Sequence, residues 1–133
     1  MSTSGASEAA GRPAVNPGEL QVLVAGADTD YEIQLLGELD MSTAPQLREE
    51  LLRLASGGAK MVTVDLSELA FIDSTGLSIL ITGLKRLREQ GGEMALRSPT
   101  PGTRRVLEIT GLTEVFGIYQ TVDQAIAATK ARR

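Results

Sequence analysis

The chain divides into stretches whose apolar residues alternate or run together and stretches where they recur every three to four positions. Leu20 to Val24 reads as a first strand and Tyr31 to Leu36 as a second. The polar turn Gly26-Ala27-Asp28-Thr29-Asp30 between them predicts an antiparallel hairpin. Ala44, Leu47, Leu51 and Leu54 share one helical face, and Ser56-Gly57-Gly58 stops that helix. Its start, Thr43-Ala44-Pro45-Gln46, has the form of a capping box. Met61 to Leu66 is β-branched and apolar on both faces, as a central strand requires.

After Asp73-Ser74-Thr75-Gly76, a second helix carries the stripe Leu77, Leu80, Ile81, Leu84 and Leu87, and Gly91-Gly92 ends it. Met94 to Leu96 is a short strand. Thr100-Pro101 opens a third helix through Val106, Leu107 and Thr110, stopped at Gly111. Val115 to Tyr119 reads as the last strand. A second capping box, Thr121 to Gln124, opens a final helix through Ala125, Ile126 and Thr129. Strands separated by helices pair in parallel through right-handed crossovers. The expected class is therefore α/β: a mixed five-stranded sheet, an N-terminal antiparallel hairpin and about four packed helices. Residues 1–18, rich in Ser, Gly, Ala and Pro without apolar periodicity, are expected to be a disordered tail ahead of one domain at 19–133.

Composition narrows the chemistry. With no histidine and no cysteine among 133 residues, Ser-His-Asp and Cys-His catalysis, zinc fingers and disulfides are excluded. Four aromatics (Tyr31, Phe71, Phe116, Tyr119) and a net charge of −4 argue against a nucleic-acid surface. No phosphate-loop motif G-x-x-x-x-G-K-S/T and no G-x-G-x-x-G after a strand is present. Asp65 and Glu68 are the residues a magnesium ion would use, but the reading is of no metal, no cofactor and no enzyme. Without an apolar run of membrane length or a signal segment, a cytoplasmic protein is expected. Charge is uneven: residues 1–45 hold seven acids against Arg12 alone. The basic end (Lys130, Arg132, Arg133) suits a helix C-terminus.

The segment Phe71-Ile72-Asp73-Ser74-Thr75-Gly76-Leu77 remains. On the residues alone, Asp73 or Ser74 is a helix cap. The odd feature is Gly76, costly in a first turn by about 0.5–1 kcal/mol against Ala, which suggests backbone left exposed for another purpose. Both readings stand at this point. Leu77, Leu80 and Ile81 read as core, Ser78 as a small surface residue, and Met41 and Met94 as packing.

This D-S-T-G-L motif resembles the signature of the STAS domains of bacterial anti-sigma factor antagonists. Gly37-Glu38-Leu39-Asp40 with Thr43-Ala44, Gly91 to Met94, and Val106 to Leu112 resemble further segments of the same family, in family order from about Glu19 to Ala128. The resemblance implies a phosphoprotein of stress response and transcription regulation that works by partner switching. The unphosphorylated form would bind an anti-sigma factor that is also a serine kinase, freeing the sigma factor. ATP-dependent phosphorylation of Ser74 (alternatively Thr75) would break the complex, and a serine phosphatase would reset it. Glu38, Asp40, Asp73, Ser74, Thr75 and Gly76 are the partner-binding residues it implies, with the three acids repelling the new phosphate. A monomer is expected. The alternative is a STAS module that binds a ligand or signal without switching, with Ser74 only a cap.

Overall fold

The computed structural model describes residues 15–120 and, beyond them, residues 124, 127 and 128. Strand β1 (Leu20–Ala27) pairs antiparallel with β2 (Asp30–Leu39). The two-residue turn between them puts Asp28 at φ 59°, a left-handed conformation that Asp tolerates better than most residues. Helix α1 (Ala44–Ser56) leads to β3 (Met61–Ile72), and α2 (Ser74–Glu89) leads to β4 (Glu93–Arg97). Helix α3 (Pro101–Ile109) and a 3₁₀ turn (Leu112–Glu114) precede β5 (Gly117–Tyr119).

The sheet order is β1-β2-β3-β4-β5, and every pair after the first is parallel. A sequential order joined by right-handed crossovers puts all connecting helices on one face. Their buried residues accordingly merge into a single core. Leu47 and Leu51 of α1, Leu80 and Leu84 of α2 and Leu107 of α3 meet Ile33, Leu35, Val62 and Val64 of the sheet. On the other face Arg97 binds Glu32 (2.7 Å) and Asp65 (2.6 Å). Asp65, the magnesium candidate, is thus an ion-pair partner in the sheet. Among the described residues no helix is long and apolar enough to cross a membrane.

The fold has the expected α/β class, hairpin and sheet, with differences in extent. Strand β3 does not end at Leu66 but runs to Ile72. Its partner β4 stops pairing at Asp65, so the remainder is covered on one side only and shows exposed Ser67 between buried Leu66 and Leu69, and exposed Ala70 and Phe71 between buried Leu69 and Ile72. In the sequence, the polar pair Ser67-Glu68 has the look of a strand end. The last strand begins at Gly117, because Leu112–Glu114 takes a 3₁₀ turn that buries Leu112 and Phe116. Most of the final helix expected from Thr121 lies outside the described residues, of which Gln124, Ala127 and Ala128 are helical. Residues 1–14 of the expected tail also lie outside them. Gly18 donates its amide to Glu38 Oε2 (2.9 Å), and Glu19 donates to the Asn16 carbonyl.

Candidate functional site

Strands β2 and β3 lie side by side, with Leu39 paired to Ile72, so both chains leave the sheet at the same edge. The β2 chain turns through residues 40–43 before α1. The β3 chain enters α2 through Asp73 alone. This shared exit brings Asp40, Met41 and Asp73 together although 32 residues separate Met41 from Asp73.

Asp73 is the cap of α2. Its backbone is extended (φ −109°, ψ −176°), and Oδ1 accepts from the Gly76 amide at 2.9 Å. Oδ2 accepts from the Met41 amide at 3.1 Å. Its own amide donates to the Leu39 carbonyl, and its carbonyl accepts from Leu77. One residue therefore ties the start of α2 to the end of β2 and to the turn beyond.

Ser74 is the first helical residue and is exposed. Among the described residues its hydroxyl makes no hydrogen bond, and its carbonyl accepts from the Ser78 hydroxyl (3.0 Å). Thr75 is half-buried. Both lie in a first turn, where amides lack intrahelical partners and the helix dipole is positive.

Gly76 corrects the expectation that its backbone is kept exposed. It is buried, and a Cβ there would lie 2.7 Å from Leu39 Cγ and 3.0 Å from both Ile72 Cγ1 and the Leu39 carbonyl oxygen. Glycine is needed because α2 begins against the end of β2, and the amide of Gly76 is already taken by Asp73.

The turn at 40–43 is held from within. Asp40 Oδ1 accepts from the amides of Ser42 (2.9 Å) and Thr43 (3.1 Å) and from the Ser42 hydroxyl (2.8 Å). The Ser42 hydroxyl is the chief reason the Asp40 carboxyl sits below its usual range; the Thr43 and Ser42 amides and the Thr43 hydroxyl add to it, against partial desolvation. The capping box expected from Thr43 and Gln46 does not form. Thr43 has helical angles (φ −103°, ψ −20°) and makes no side-chain cap. Its buried hydroxyl instead donates to the Glu38 carbonyl (2.8 Å) and accepts from the Asp40 amide (2.9 Å).

Of the acids expected around Ser74, Asp73 adjoins it, Asp40 is turned onto its own loop and Glu38 holds the Gly18 amide. Met41, expected to pack, is instead 75% exposed on the turn, while Met94 is buried as expected. Phe71, also exposed, lines a hollow of about 180 Å³ with Ala70, Ile72, Gly102, Thr103 and Val106. The available signal for Met41 was its place just past the last strand residue, outside any helical or strand periodicity.

Residues 21–125 match the model of the STAS domain. The chain belongs to the STAS domain family. Among curated proteins, this STAS domain is 33% identical over 99 residues to the anti-sigma-B factor antagonist of Bacillus subtilis, covering 74% of this chain and 90% of that protein. Among solved structures, an anti-sigma factor antagonist from Mycobacterium paratuberculosis superposes with a TM-score of 0.74 at 32% identity, covering 84% of this chain and 94% of the other. The Bacillus cell fate determinant SpoIIAA in its phosphorylated form superposes with a TM-score of 0.64 at 25% identity, covering 82% and 97%.

Proposed function

We propose that this STAS domain, taken as residues 19–133, is an anti-sigma factor antagonist switched by phosphorylation of Ser74. Unphosphorylated, it binds an anti-sigma factor that is also a serine kinase and so releases the sigma factor. The kinase then transfers the γ-phosphoryl group of ATP to Ser74 Oγ, ADP leaves, and the complex comes apart. A serine phosphatase restores the free hydroxyl. The domain is substrate and ligand in this cycle, with no catalysis of its own, and it works in the cytoplasm as a monomer.

The observation that carries this reading is the exposed, unbonded Ser74 hydroxyl at the first position of α2. Half-buried Thr75 is the poorer acceptor. Phosphate at a helix start meets free amides and a favourable dipole, so the fold tolerates it. The partner surface meets about −1.5 to −2 added charges at pH 7, beside Asp73 and with Glu38 and Asp40 on the same edge. Repulsion and desolvation of that interface favour release.

The test is intact mass after incubation with ATP and a cognate anti-sigma kinase. One phosphate on wild type, absent from Ser74→Ala, is expected. Phosphate retained in the variant would move the site to Thr75. A wild type that binds the kinase but stays unmodified would overturn the switch.

A further inference from the structure

Capping α2 does not by itself require an aspartate. Ser, Asn and Asp cap helices about equally well. Asp73 differs in having two acceptor oxygens, and both are used: Oδ1 on Gly76 of α2, Oδ2 on Met41 of the turn. An asparagine would offer one acceptor and turn its N–H groups on the other amide. A serine would offer one short-reaching oxygen.

The second bond has a consequence for the surface. The 40–43 turn is rigid within itself, through Asp40 Oδ1 and Thr43 Oγ1. Among the described residues, its side-chain link to the start of α2 is the Asp73 carboxylate. On one side of that carboxylate, in sequence, stands exposed Ser74. On the other, through its hydrogen bond, stands Met41, an unbranched and adaptable apolar side chain 75% exposed.

We propose that Asp73 is a positioning residue for partner recognition, joining Met41 and Ser74 into one surface whose spacing it sets. The partner takes Met41 as an apolar anchor while it reads the Ser74 hydroxyl. Methionine is enriched at the cores of protein interfaces, where a few buried residues carry most of the binding energy. This rests on the antagonist reading above, with the anti-sigma kinase as the partner. Asp73 acts through Met41 rather than through its charge.

Asp73→Ser separates the two duties, since it keeps a cap for Gly76 and removes the acceptor for Met41. The full chain and three variants (Asp73→Ser, Met41→Ala and both together) are titrated against the cognate kinase by calorimetry. Amide hydrogen exchange is followed on the free proteins. Asp73→Ser should melt near wild type and bind about tenfold more weakly, a 1.4 kcal/mol difference. In the Met41→Ala background the same change should cost less than about twofold, because the anchor it positions is gone. Exchange at the Met41 amide should quicken in Asp73→Ser while Gly76 stays protected.

Equal losses in both backgrounds would make Asp73 a charge contact and overturn the proposal. So would wild-type affinity in Asp73→Ser, or unchanged exchange at Met41. A wild type that binds no such kinase would overturn the antagonist reading as well, which separates the two failures.

Discussion

Helices α1 and α2 begin at the same edge of the sheet, yet their starts are built in opposite ways. Before α1 the chain has a Thr and, three residues on, a Gln, the residues of a capping box. Before α2 it has Asp-Ser-Thr-Gly, with a glycine where a helix former would serve better. The weaker signal is the one that forms a side-chain cap. The difference lies in what precedes each helix. A capping side chain reaches the first-turn amides only from an extended backbone. Asp73 comes straight from β3 and is extended; Thr43 follows a turn and already has helical angles. The length of the connection thus decides whether a capping motif can act. It also fixes Ser74 rigidly, since one residue leaves little slack between strand and helix.

The strongest way to break this contrast is Gly76→Ala. A methyl group there collides with Leu39 and Ile72, and overpacking of this kind costs about 1–3 kcal/mol. Gly102, in the first turn of α3, is the control: a Cβ there meets nothing within 4 Å. Gly102→Ala should stabilise by about 0.4–1 kcal/mol. Urea denaturation of both variants gives the comparison. Equal effects would mean that α2 does not need its close approach to β2.

Thr43 sharpens the comparison from the other side. Thr43→Val keeps the shape but leaves the Glu38 carbonyl and the Asp40 amide without the hydroxyl that serves both. A loss of about 1–3 kcal/mol is expected for unsatisfied groups at a buried position. Gln46→Ala should change stability by less than about 0.5 kcal/mol, as for an ordinary exposed residue. A capping box would make both substitutions costly, so thermal unfolding of the pair separates the two arrangements.

These cases show which parts of the molecule could be read from its sequence. The hairpin, the parallel order and the core stripes follow from apolar period and connection length, which are local. Leu47, Leu51, Leu80 and Leu84 are buried as their spacing requires. The D-S-T-G-L segment was legible as a helix start and as a family motif. The reason for its glycine was not, because Leu39 lies 37 positions away and only the β2–β3 pairing brings it there. The bond from Asp73 to Met41 is hidden for the same reason. Met41 differs from its expectation because an apolar residue between two elements suggests packing unless the turn is known to project it. The end of strand β3 is hidden because the polar pair Ser67-Glu68 follows Leu66 just where β4 stops pairing, at Asp65, and has the look of a strand end.

The smallest expected effect is in acid, and it concerns the α1 side of the comparison. Asp40 holds the turn only as a carboxylate, and its bonds to Ser42 and Thr43 lower its pKa from the ordinary 3.8. A group with a depressed folded pKa contributes stability above its unfolded value and loses it as pH falls through the folded one. The amide signals of Ser42 and Thr43 should therefore titrate together with a midpoint below 3.8. Ser42→Ala removes the largest contribution and should raise that midpoint towards the ordinary value. A midpoint at or above the ordinary value in wild type would mean that the Asp40 bonds do not persist in solution. The turn that carries Met41 would then depend on Thr43 and Asp73 for its shape.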